Sequence, residues 1–213
     1  MKYIIMCGGT YLLWDKPRQL LEVKGEPIIK RTIRLLKQNG IEDIAISSGD
    51  PRFEGLGVPV LVHDNEYTAA NEIVAGYWNE AFYPTDEPTC YLFGDVVFSP
   101  EAIKKIVNTD TDDVMFFGSA PPYAPEYVKQ YAEPFAFKVV NQDHFKSAIR
   151  LTQLFYRQGM FKRRPIAWEL WQVIKNHKLN HIDYNSYVHI NDYTCDVDEK
   201  ADLIMIESMI EEV

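Results

Sequence analysis

Carboxylates, glycines and basic side chains carry the chemistry open to this chain, and three short stretches hold most of them. Tyr91-Leu92-Phe93-Gly94-Asp95-Val96-Val97-Phe98 sets one aspartate at the end of an apolar run. A carboxylate there is costly unless it is paired, hydrogen-bonded or bound to a cation. Asp95 is therefore either a cap for the helix that follows Pro100 or a metal ligand. In Cys195-Asp196-Val197-Asp198-Glu199-Lys200-Ala201-Asp202-Leu203, alternation puts Asp196 and Asp198 on one face of a short strand, with Asp202 at the start of a helix. The same residues also read as a solvated acidic turn. Ile4-Ile5-Met6-Cys7-Gly8-Gly9-Thr10-Tyr11 runs an apolar strand into a glycine turn, and Lys16 and Arg18 flank Pro17 shortly after it. Glycine permits positive φ and lets phosphate oxygens approach peptide N–H groups. The turn is thus a phosphate cradle, or only a tight connection between two buried elements.

Other reactive groups are less organised. The densest basic run, Lys162-Arg163-Arg164, reads first as a solvated face, and Lys138 stands in the apolar stretch Phe135-Ala136-Phe137-Lys138-Val139-Val140. The five histidines show no metal-ligand spacing, and no serine or cysteine lies in a nucleophile motif, so hydrolysis through a covalent intermediate is unsupported.

The elements that must position these groups alternate strand and helix. Strands are expected over 2–6, Ile44–Ser47, Val58–Asp64, Thr89–Ser99 with a break at Gly94-Asp95, and Asp113–Ser119. Ile28, Ile29, Ile33, Leu35 and Leu36 have the spacing of one helix face, with a left-handed cap at Asn39-Gly40. Helices are also expected over 71–82 and from Pro100, where proline is tolerated in a first turn. This order predicts an α/β fold, a Rossmann-like three-layer α/β/α sandwich on a mostly parallel sheet. Residues 120–190, with Pro121, Pro122, Pro125 and Pro134, break the rhythm and read as an elaboration within a single domain spanning 1–213, or as a dimer contact.

Composition narrows the partners. With 31 acidic against 22 basic residues the net charge is −9, which disfavours nucleic acid polymers and leaves any anionic ligand to a local cluster. Three scattered cysteines argue against a disulfide framework. Neither a signal peptide nor a membrane-spanning run is legible, so the cytoplasm is the expected compartment.

Taken together, the N-terminal motifs resemble those of the nucleotidyltransferases (pyrophosphorylases) that couple a nucleoside triphosphate to a phosphorylated acceptor. Gly8-Gly9-Thr10 matches the family's glycine loop, Pro17-Arg18-Gln19-Leu20 its Pro-Lys-x-Leu element and Gly25-Glu26-Pro27 its Gly-Lys-Pro. Tyr11 stands where the family has an arginine, and Arg18 where it has a lysine. The resemblance implies that Cys7, Gly8, Gly9, Thr10, Tyr11, Arg18, Asn71, Gly94 and Asp95 hold the nucleotide. It also implies that Mg²⁺ is bound by Asp95 and Asp198, with Asp196 close by, and that Arg18 and Lys16 offset charge on the departing pyrophosphate. Lys138, Arg163 and Arg164 fall in the acceptor region.

The stretch from Asn65 to Asn71 and the Asp196-Val197-Asp198 ending are similar to the choline-phosphate cytidylyltransferase branch, which favours CTP, with phosphocholine or a sugar phosphate for surface polymers as acceptor. Two other readings stay open. One is a nucleotide-sugar-dependent glycosyltransferase of the related fold; the other is a non-catalytic nucleotide-binding module.

Overall fold

The computed structural model describes residues 1–8, 14–63, 81–120 and 132–210. Strand β1 (Lys2–Met6) is buried from Tyr3 onward and pairs in parallel with a strand on each side. A strand covered in this way reads as a continuous apolar run. A 3₁₀ turn at Arg18–Leu20 and the small antiparallel pair β2 (Glu22–Val23) and β3 (Glu26–Pro27) lead into helix α1 (Ile28–Gln38). The helix buries Ile28, Ile29, Ile33, Leu35 and Leu36, and Gly40, at φ 79°, ends it as the sequence predicts.

Strands β4 (Ile44–Ser47) and β5 (Val60–Leu61) extend the sheet to one side. The third expected strand shrinks to two residues; on its N-terminal side Pro59 has no N–H to give to a ladder. The helix expected over 71–82 lies outside the described residues except for its end, where Phe82 is buried in a non-helical bend.

The chain then returns to the centre. β6 (Thr89–Phe93) is wholly buried beside β1, and β7 (Val96–Val97) follows the predicted break at Gly94-Asp95. Helix α2 (Pro100–Asn108) is capped by Ser99, whose Oγ accepts the Ala102 N–H at 2.9 Å. β8 (Val114–Gly118), β9 (Pro134–Val139), α3 (Gln142–Arg157), α4 (Ala167–Ile174), β10 (Val188–His189), β11 (Cys195–Asp196) and α5 (Lys200–Met209) complete the described elements.

The seven-stranded sheet has the order β10-β8-β9-β6-β1-β4-β5, and β9 alone runs against the rest. This is the expected α/β architecture. The segment 120–190 does depart from the strand–helix rhythm, yet it supplies an internal strand, β9, and an end strand, β10. Aromatic side chains bind it in: Phe116 meets Phe137 at 4.6 Å and Trp168 edge-on at 5.0 Å between ring centroids.

Gly118 sits where β8, α4 and the start of β9 converge. A Cβ there would lie 2.8 Å from the Glu133 carbonyl oxygen and 3.1 Å from the Trp168 ring. Gly118→Ala is expected to lower stability by about 1–3 kcal/mol through overpacking, read as a lower urea midpoint at unchanged slope. An unchanged midpoint would show that Trp168 and the backbone yield without cost.

Candidate active site

The order of the sheet decides where a site can form. From β1 the chain moves outward to β4 and β5, then returns to β6 on β1's other side. The switch point lies between β1 and β6, and in open α/β sheets the crevice beyond the carboxyl ends of such strands takes the ligand. Here those ends are Cys7-Gly8 and Gly94-Asp95. They are held together closely, since the Gly94 N–H donates to the Met6 carbonyl at 3.0 Å. A Cβ on residue 94 would fall 2.5 Å from that oxygen, 2.8 Å from Cys7 Sγ and 3.1 Å from Gln19 Cγ. Only glycine lets the two strand ends and the Arg18–Leu20 turn meet.

Three segments deliver charge to this crevice. Asp95 follows β6. Asp198 arrives on the C-terminal segment, which β11 fastens to β7 by antiparallel pairing and by the Val197 N–H bond to the Asp95 carbonyl at 3.1 Å. That segment is anchored upstream as well: Ser99 Oγ donates to Asp192 at 2.6 Å, and Thr194 Oγ1 accepts the Ser99 N–H. Arg18, on the 3₁₀ turn, spans the two carboxylates. Its Nη2 lies 2.5 Å from Asp95 Oδ2 and its Nη1 2.5 Å from Asp198 Oδ1, and Nη1 also donates to the Val197 carbonyl at 3.1 Å. The Arg18 side chain is 18% exposed, so these ion pairs form where water screens them less than at an open surface. Since Ser99 caps α2, the capping role left open for Asp95 is filled.

Residues that the sequence did not single out complete the support. The Trp14 indole N–H donates to the Asp198 carbonyl at 3.3 Å. Gln19, buried on the turn, packs against Gly94. No periodic pattern marks either residue, because both sit in irregular chain. Asp202, expected as a helix cap, serves as one from inside the first turn: its Oδ2 accepts the N–H groups of Asp198 and Glu199 at 2.9 and 2.8 Å. It thereby fixes the backbone that carries Asp198.

The remaining sequence candidates divide. Lys16 is half-buried two residues before Arg18 and makes no ion pair among the described residues, and Asp196 is half-buried opposite Val96. Gly8 lies two residues beyond β1, whereas Gly9, Thr10, Tyr11 and Asn71 lie outside the described residues. Cys7 is buried, and its thiol is pushed well above the ordinary cysteine value, first by burial and then by the negative charge of Asp95. Its side chain is packing at the strand ends, close to Gly94.

The structure does not bring Lys138 to the carboxylates. It pairs with Cys90 at the far end of β6, and its Nζ donates to the Val107 and Thr109 carbonyls at the C-terminus of α2. Burial holds its ammonium below the usual lysine value. Arg163 is engaged by Glu169 at 2.6 Å, and that carboxylate also accepts the Ile166 N–H at the start of α4. Arg164 is half-buried, which lowers its guanidinium's pKa.

Comparison with known proteins bears on this geometry. The profile described as the MobA-like NTP transferase domain matches residues 3–156, which include β1, the Arg18 turn and Asp95. The chain belongs to this family. The MobA-like domain is thus a nucleotidyltransferase of the NTP transferase family, and no curated protein matches it.

Among solved structures, it is similar to the inositol-1-phosphate CTP transferase from T. maritima (16% identity, 98% of this chain and 95% of that one, TM-score 0.51). It is also similar to the 4-diphosphocytidyl-2C-methyl-D-erythritol synthase from Anaerococcus prevotii DSM 20548 (14%, 97% and 96%, TM-score 0.54). A third, from Bacillus anthracis and named as a glucose-1-phosphate thymidylyltransferase, gives 16%, 97% and 94% with TM-score 0.55. At these identities the likeness is one of fold.

For a transferase of nucleotides the donor set is chemically apt. Two carboxylates within the span of one guanidinium are hard oxygen ligands of the kind Mg²⁺ combines with phosphate oxygens and water. Among the described residues no cluster of three or more histidine, cysteine or acidic side chains gathers, so a metal here would take its other ligands from substrate and solvent.

The buried thiols give a direct check on the packing around the strand ends. Cys7, Cys90 and Cys195 are all buried, and burial raises Cys90 to about 12. The native protein is expected to resist a thiol-exchange reagent at about pH 8 and to react fully once unfolded. Rapid native labelling of Cys7 would show that the end of β1 is open to solvent.

Proposed function

We propose that this nucleotidyltransferase moves a nucleoside monophosphate, with CMP from CTP as first choice, to a phosphorylated small molecule and releases pyrophosphate. The observation that carries this reading is the meeting of Arg18, Asp95 and Asp198 at the carboxyl end of the β1–β6 pair. Among the described residues the site contains basic and acidic groups and glycines but no nucleophilic dyad, which suits a reaction in which the acceptor itself attacks. An acceptor phosphate oxygen forms the new bond to the α-phosphorus. The bond to the β-phosphate bridge breaks, and its electron pair leaves with pyrophosphate.

Asp95 and Asp198 are the residues that would hold Mg²⁺, with Asp196 beside them. When bound, the ion draws two phosphate anions together and stabilises charge at the reacting phosphorus. Lys16 and Arg18 meet the triphosphate and offset the charge of the leaving pyrophosphate. Asp202 and Trp14 keep Asp198 in register through its backbone.

CTP is favoured by the cytidylyltransferase-like segments and by two structural neighbours, one named as a CTP transferase and one for a diphosphocytidyl compound. The thymidylyltransferase neighbour keeps the base an experimental question. Inositol-1-phosphate and glucose-1-phosphate, named in two neighbours, support a phosphorylated polyol or sugar as acceptor. Arg164, half-buried in the basic run, is the candidate for its phosphate.

Incubation with CTP, UTP, ATP, GTP or dTTP and a panel of phosphorylated polyols, sugars and phosphocholine is expected to release pyrophosphate with one pairing, under Mg²⁺. No release with any pairing would sink the proposal. Asp95→Asn is expected to keep the fold and lower turnover on the order of a hundredfold or more; full activity would remove Asp95 from the site. Arg164→Ala is expected to raise the acceptor KM several-fold at unchanged nucleotide KM, and equal effects on both would move the acceptor elsewhere.

A further inference from the structure

Arg18 lies where two carboxylates converge, and a cation held by Asp95 and Asp198 must contend with it. The guanidinium reaches Asp95 with one terminal nitrogen and Asp198 with the other, each at 2.5 Å, and bonds the Val197 carbonyl as well. The planar fork of arginine suits this double engagement, which the single ammonium of a lysine does not reproduce. One positive charge thus stands between two negative ones in a half-covered crevice. The resident pairing is an obstacle to a free divalent ion.

A divalent ion arriving alone would have to strip Arg18 from both carboxylates. It would cost the guanidinium both of these carboxylate partners and set it beside a doubly charged neighbour, and breaking ion pairs in a partly desolvated place is costly. An ion arriving on a triphosphate changes the exchange. The carboxylates pass to the metal, and the released guanidinium finds phosphate oxygens, which it binds as a bidentate partner as well as it binds carboxylate. Every charge has a partner before and after.

We propose that Arg18 is the resident occupant of the cation position and selects the form in which the divalent ion enters: as its triphosphate complex and not as the free ion. This rests on the reading that Asp95 and Asp198 are the metal ligands. It assigns Arg18 a role before the chemical step, as the group exchanged between carboxylate and phosphate. A lysine here would be a weaker gate, because its compact, strongly hydrated ammonium lacks the planar fork that sets one terminal nitrogen on each carboxylate.

Metal binding tests this without turnover. Mn²⁺, counted as free ion by its paramagnetic resonance signal, is titrated into wild-type protein, Arg18→Met, Arg18→Lys and the double variant Arg18→Met/Asp95→Asn, with and without inorganic tripolyphosphate. Circular dichroism establishes that each is folded. Wild-type protein is expected to bind Mn²⁺ alone weakly and the tripolyphosphate complex well. Arg18→Met is expected to bind Mn²⁺ alone about tenfold more tightly than wild type, with Arg18→Lys between them. The double variant is expected to lose the gain, which locates the ion at Asp95.

Equal or weaker binding of Mn²⁺ alone by Arg18→Met overturns the proposal, as does a gain that survives Asp95→Asn. Should Arg18→Met fail to fold, Arg18→Lys decides by the sign of its change. Mg²⁺-dependent pyrophosphate release that Asp95→Asn abolishes, without any gain in Arg18→Met or Arg18→Lys, refutes the gate and leaves the nucleotidyl-transfer reading standing. Absence of Mn²⁺ binding in every protein, even with tripolyphosphate, refutes the metal site and the gate together.

Discussion

The close seam between β1 and β6, sealed by the Gly94 N–H bond to the Met6 carbonyl, is the constraint on which the site depends. Both strands are buried on two faces, so their pairing is enforced by the removal of apolar side chains from water. The chain reverses its direction of travel across the sheet at this seam. Polar loops can therefore open only at its carboxyl end, and there the absence of a side chain at residue 94 lets Asp95, the Cys7-Gly8 end and the Arg18 turn come within contact. A bulkier residue would wedge them apart before any electrostatic attraction operated.

Charge then fastens what packing brings near. Arg18 joins a turn near the N-terminus to a segment near the C-terminus through Asp198 and Val197, and to the centre of the sheet through Asp95. The contacts that join these distant segments are also the ones that assemble the site. Pairs at the surface do not have this leverage: Lys146 and Asp86 meet where Asp86 is almost fully exposed, and such contacts contribute little to stability. The difference lies in solvent access and in the number of chain segments each pair connects.

The basic residues show the same economy of charge. Lys138 projects from an internal strand, where an unsatisfied ammonium would be costly; the carbonyls at the end of α2 satisfy it, and the helix dipole favours a cation there. Arg163 and Glu169 together close the start of α4. Side chains that in isolation read as phosphate ligands are thus engaged by local demands of the fold, while Arg18 remains at the crevice because its turn packs on Gly94.

The sequence by itself determined the strands that read as continuous apolar runs, the helix closed by Asn39-Gly40, the break at Gly94-Asp95 and the acidic ending, because each is a local pattern with a local physical cause. It also marked Asp95, since a carboxylate at the end of an apolar run demands a partner, while Arg18 and Asp198 stood out through their resemblance to the nucleotidyltransferase motifs. Only the tertiary structure decided that the three are partners of one another, that β9 enters the sheet antiparallel, that Trp14 and Asp202 steady Asp198, and that Lys138 stands at the far end of β6. Those outcomes depend on which strands lie side by side. Adjacency is set by burial summed over the whole chain, and no short stretch of residues carries it.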